Sequence, residues 1–140
     1  MRAARLLCPE AAGTPCLPAL DEIGRSYAAL GYTTVFDAAV APAFAPAAHD
    51  ELSALPVVDS GFFLLMGNDP ATLAAARGGA GALEDAVGGL LARAGAYAPK
   101  LVNPGGVAAW KQGEPGPAIE DAAAILARFA SASAALGLPH

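Results

Sequence analysis

The chain has 140 residues, 55% of them hydrophobic and only 15% charged, with a net charge of −5. That length suits one domain with a real core, the apolar content excludes disorder, and a closed (β/α)8 barrel, which typically takes about 250 residues, is too large for it. Its eight basic residues are scattered and form no stripe, so nucleic acid is not an expected partner, and no uninterrupted apolar run is long enough to span a membrane.

Residues 8–18 are rich in turn formers: Pro9, Gly13, Pro15 and Pro18. Cys8 and Cys16 fall here, at a spacing that matches no common zinc or redox motif; they read as free thiols of a reducing compartment, with the cytoplasm as the default location. The N-terminus has a positive start but no long apolar core, so it does not read as a signal peptide. A helix follows, with Leu20, Ile23, Tyr27 and Leu30 on one face and Gly31 as its C-terminal cap. Thr33–Val40 is β-branched and aromatic and reads as a strand. Pro42 and Pro46 end it, and a short helix is expected over about 47–54.

Gly61–Gly67 is continuously apolar, as suits a strand covered on both faces of a parallel sheet. Asn68, Asp69 and Pro70 then signal a helix start: a capping side chain followed by proline at the first helical position. That helix is expected to run to Arg77 and stop at Gly78-Gly79. The next begins near Ala82, with Leu83, Val87, Leu90 and Leu91 on one face, Glu84 and Asp85 in the first turn and Arg93 in the last, each charge favourable to the helix dipole. Gly88 and Gly89 weaken it by about 1 kcal/mol each relative to alanine. A third strand is expected over 97–103, short or irregular because Pro99 cannot donate to a ladder. The Asn103-Pro104-Gly105-Gly106 turn and a Gly/Pro linker over 111–117 lead to a last helix, 118–136, striped by Ile119, Ala122, Leu126, Phe129, Ala132 and Leu136. Alternating helices and strands imply an α/β fold with about three parallel strands joined by helices. So apolar a composition with so few strands also implies surface that needs a partner to bury it.

Lys100 is one of only two lysines, with Lys111, and it sits inside an apolar run at the mouth of the third strand. Such a lysine either snorkels its ammonium to water or serves a purpose that repays its setting. A neutral amine adds carbon dioxide to become a carbamate, an anionic oxygen ligand able to bridge two metals. The residues alone favour the snorkelling surface lysine. Asn103–Gly106 could offer backbone N–H groups to an anion, though a plain turn explains it, and Asp37 is a strand-end acid that could act as ligand or base. His49 and His140 have no spaced partner, so no three-ligand zinc site can be assembled from histidines.

Three segments carry a resemblance: G-Y-T-T-V-F-D-A-A-V (31–40), D-S-G-F-F-L-L-M-G-N (59–68) and K-L-V-N-P-G-G-V-A-A-W-K (100–111). They resemble the A-type subunit of formylmethanofuran dehydrogenase and the related amidohydrolase subunit of the bacterial formyltransferase/hydrolase complex, members of the amidohydrolase superfamily. The resemblance implies a (β/α)8 barrel with a dinuclear zinc centre that interconverts formylmethanofuran with formate and methanofuran in one-carbon metabolism. It implies sister subunits and a methanofuran-type substrate as partners, and that Lys100 corresponds to the carboxylated lysine bridging the metals. The family's H-x-H ligand pair would fall just before Met1, and its later histidines and its aspartate acid/base beyond His140. Residues 1–140 are therefore expected to form a single partial barrel domain, an internal fragment lacking the first and later strands and inactive alone. Two other readings stay open: a non-catalytic split-barrel or interaction subunit, and a small anion-binding α/β module.

Overall fold

The computed structural model describes residues 18–102, 104 and 119–139. Cys8, Cys16, Asn103, Gly105, Gly106, the 111–117 linker and His140 lie outside the described residues. Within them, helix α1 (Leu20–Ala29) leads to strand β1 (Thr34–Val40), a 3-10 turn at Pro42–Phe44 and helix α2 (Ala45–Leu52). Strand β2 (Asp59–Leu65), helices α3 (Pro70–Arg77) and α4 (Ala80–Ala94), strand β3 (Ala98–Lys100) and helix α5 (Ile119–Ala135) complete the order. The three strands form one parallel sheet in the order β1-β2-β3, as the alternation implies.

Local chemistry sets the boundaries. At the end of α1 the N–H of Gly31 bonds Ala28 O at 2.9 Å and that of Tyr32 bonds Tyr27 O at 3.1 Å. This is a Schellman turn, and it needs the left-handed φ of +89° that Gly31 adopts. Asp69 caps α3 as expected, its carboxylate accepting the Thr72 N–H at 2.9 Å, with Pro70 opening the helix. The expected start of α2 at 47 is too late: Pro46 stands in its first turn, where a missing N–H costs nothing, so this proline starts the helix and does not mark a loop. Helix α4 starts at Ala80, not Ala82, which moves Glu84 and Asp85 out of the first turn and beyond most of the dipole's reach. Strand β2 begins two residues before the apolar run, because Asp59 and Ser60 already pair with Thr34 and Val35.

Of the six described residues expected in strand β3, only three, Ala98–Lys100, are strand. The Tyr97 N–H donates to Phe62 O at 2.9 Å. Because Lys100 O faces β2, strand alternation turns the nitrogen of Pro99 to the outer edge of the sheet, where a missing N–H costs the β2–β3 ladder nothing. The pairing runs without a break through Ala98, Pro99 and Lys100, and at its end the Met66 N–H reaches Lys100 O at 3.0 Å.

The core lies on one face of the sheet. Phe62, Leu64 and Met66 are buried together with Ala45 of α2, Ala76 of α3, Leu83, Val87 and Leu91 of α4, and Ile125, Phe129 and Ala132 of α5. In α5 the buried stripe runs through Ile125, while Leu126 and Leu136 are exposed. With Ile125 and Leu126 both apolar, periodicity alone chose the wrong neighbour. The expectation that β2 is covered on both faces also fails among the described residues: Gly61, Phe63 and Leu65 remain only half-buried. On that second face the rings of Phe36, Phe63 and Tyr97 touch one another, with centroids 4.9 to 5.8 Å apart. The Phe36 ring lies over Gly61, where an added Cβ would stand 2.7 Å from its Cε1.

Thr72 is fully buried, and its hydroxyl donates to Met66 O at 2.6 Å, with Asp69 O 3.0 Å away. Thr72→Val keeps the volume and strips the donor, leaving these carbonyls without it at the end of β2. The expected loss is about 1–3 kcal/mol in urea unfolding. A loss below a few tenths would show that water replaces the hydroxyl.

Candidate functional site at the carboxyl rim of the sheet

Parallel strands aim their carboxyl ends at one rim, and open α/β sheets place binding groups there. Two of the polar residues singled out from the sequence stand there, Asn68 just past β2 and Lys100 as the last residue of β3, whereas Asp37, expected at a strand end, is the middle residue of β1 because that strand runs on to Val40. Asp37 is opposite Phe62 in the register and Lys100 opposite Leu65, on the two strands that flank β2.

Lys100 is exposed, and its side chain forms no hydrogen bond or ion pair among the described residues. Its backbone is held more firmly than its side chain. Lys100 O accepts the Met66 N–H, and two residues later Val102 O accepts the Asn68 side-chain N–H at 3.0 Å. Gly67, between those two residues of the β2 end, is buried. A Cβ there would stand 3.4 Å from both Leu101 Cα and Val102 N, so the chain leaving β3 runs close against the end of β2.

Asp37 has other company. Its carboxylate accepts the Ala39 N–H at 3.2 Å, where the β1 register shifts between Asp37 and Val40. It also lines a groove of about 610 Å³ with Glu22, Tyr27, Leu30, Leu52 and Leu55. The sheet therefore carries Asp37 and Lys100 on different strands and at different heights, and does not join them. Of the Asn103–Gly106 turn only Pro104 is described, and it is buried.

His49 is far from any ligand set. Its Nε2 is 2.7 Å from Ala94 O at the end of α4, and its ring packs edge-on against Phe62 with centroids 5.0 Å apart. Gly95 leaves room for that ring, since a Cβ there would stand 2.9 Å from Nε2. Arg128 plays a similar part on α5, its guanidinium donating to Ala76 O and Gly78 O at the end of α3. Neither role has a signal in the sequence, because the partners are 45 and about 50 residues away. Among the described residues no three histidine, cysteine, aspartate or glutamate side chains gather as a metal-binding group. A dinuclear zinc centre therefore does not fit the described residues by themselves: even with Lys100 counted as a ligand, such a centre needs several more side chains.

No protein-family profile matches the chain. FhcA, from the formyltransferase/hydrolase complex Fhc of Methylorubrum extorquens, is 40% identical over 93 residues, 65% of this chain and 17% of that protein. Protein FwdA of Methanocaldococcus jannaschii is 32% identical over 133 residues, 89% of this chain and 24% of that protein. The chain is similar to FhcA and FwdA. A crystal structure of the FhcABCD complex of Methylorubrum extorquens with methylofuran agrees in three dimensions. One of its chains superposes with a TM-score of 0.81 at 29% identity, over 99% of this chain and 29% of that one. The likeness to the A-type subunit of formylmethanofuran dehydrogenase thus holds in both sequence and fold, over a stretch that spans less than a third of each relative. No helix among the described residues is long and apolar enough to cross a membrane.

Proposed function

We propose that this chain is a three-strand sector of a (β/α)8 amidohydrolase barrel. It would serve a one-carbon enzyme that interconverts a formylated methanofuran-type compound with formate and the free amine. The observation that carries the reading is the relationship to FhcA and FwdA together with Lys100 at the carboxyl rim of β3. The half-covered aromatic face of Phe36, Phe63 and Tyr97 supports it, because a barrel buries the face that helices leave bare. The same face and the outer edges of β1 and β3, unpaired among the described residues, would serve equally if the remaining strands came from a second polypeptide.

In this reading Lys100 is the residue that, once carboxylated, lends an oxygen ligand to a dinuclear zinc centre. The other ligands would come from outside the described residues, so no catalytic step is assigned to this chain alone. Sister subunits and a methanofuran-type substrate follow as partners, by analogy with the FhcABCD complex and its bound methylofuran.

The test is a graft. The chain replaces the matching stretch of FhcA inside the Methylorubrum extorquens complex, and formate release is measured. The graft is expected to keep activity. Lys100→Ala and Lys100→Arg are both expected to abolish it, with loss of bound zinc. A snorkelling surface lysine would tolerate arginine, so an active, zinc-loaded Lys100→Arg graft would overturn the assignment. So would tight binding of two zinc ions by the isolated 140-residue chain.

A further inference from the structure

The sequence marks Asn68 only as part of a helix start, yet Asp69 alone caps α3. The Asn68 side chain turns the other way and donates to Val102 O at 3.0 Å, across 34 residues of sequence. It is the last of three contacts that hold the chain around Lys100 against the end of β2. The first is the Met66 N–H on Lys100 O at 3.0 Å, and the second is the close backbone approach that Gly67 permits at Leu101 and Val102. Strand β3 needs such a clamp. It pairs over only three residues, so its ladder gives Lys100 little support.

We infer that Asn68 is a positioning residue for Lys100: its side-chain amide fixes the strand exit and thereby where the lysine stem leaves the rim. The inference rests on the proposed role of Lys100 for its functional meaning, but the clamp itself is independent of that role. A hydrogen bond to a backbone carbonyl is suited to the task because it fixes the main chain and leaves the lysine side chain free.

The experiment separates the two parts. In the full 140-residue chain, the Met66 amide reports on the rim end of β3 through Lys100 O, and the Tyr97 amide reports on the opposite end through Phe62 O. Asn68→Ala and Asn68→Asp, which both lose the donor, are expected to speed Met66 exchange about tenfold, the loss of one modest hydrogen bond. Tyr97 exchange should stay within about twofold. Asn68→Gln, which keeps a donor, should recover part of the protection. Equal acceleration at both amides, or none at either, overturns the clamp.

In the grafted complex, Asn68→Asp is expected to lower kcat for formate release about tenfold with KM unchanged, since a misplaced group costs the chemical step more than binding. Local exchange with unchanged kcat would leave the clamp standing and overturn its role in positioning Lys100. If Lys100→Arg were also active, the failure would belong to the proposed function and not to Asn68.

Discussion

Phe62→Ala is expected to cost about 3–5 kcal/mol, the range for deleting a buried aromatic ring and leaving a cavity. Phe62 is 1% exposed, sits on the central strand and meets the His49 ring edge-on. The site cannot collapse easily, because its walls are the sheet on one side and helices α2 to α5 on the other. Domains of this size hold about 5–15 kcal/mol in all, so one ring carries a large share of the total. Phe63→Ala, one residue on, is the internal control. It faces the half-covered side and should cost clearly less in the same urea titration, with m unchanged for both variants. Equal losses would mean that the second face is as well packed as the first.

Gly24→Ala is expected to destabilise by about 1–3 kcal/mol, although alanine is the better helix former. Gly24 is buried within α1, and a Cβ there would stand 2.5 Å from Pro56 O and 2.8 Å from Pro56 Cδ. Neither atom is the loose end of a long side chain, so α1 must shift away from the loop that leads into β2. Gly88→Ala in α4 is the contrasting case. Its Cβ would meet only the methyl groups of Leu136, at 3.6 and 3.7 Å, and the change should stabilise by about 0.5–1 kcal/mol. Thermal melts of the two variants should therefore move in opposite directions. A gain at both sites would mean that the α1–Pro56 approach is soft.

Much of this fold was legible because its signals are local. The Gly31 turn, the Asp69-Pro70 helix start and the short third strand each appear at their expected place, the last without a ladder bond lost at Pro99. Errors arose where one residue type serves two purposes. Pro46 ends strands and also opens helices, and the Ile125-Leu126 pair offers two apolar faces to a helix that buries one. The run Gly61–Gly67 could not reveal which of its faces the helices would cover. For the candidate site, the isolation of Lys100 was visible, but its setting was not. The clamp by Asn68, the bond from His49 to Ala94 O and the hold of Arg128 on α3 all depend on chain returning from a distance. No periodicity encodes such meetings.

The glycine beneath the Phe36 ring also governs alignment. Both faces of β2 are apolar, so hydrophobicity alone would not penalise sliding the strand by one position, a slip that normally turns a strand inside out. Sliding would bring Ser60 or Phe62 under that ring, where Gly61 already leaves no room for a Cβ. One missing methyl group thus acts as the key that sets the stagger of β1 against β2. Since β3 is registered on β2 in turn, it also sets the height at which the amine of Lys100 stands above the strand that carries Asp37.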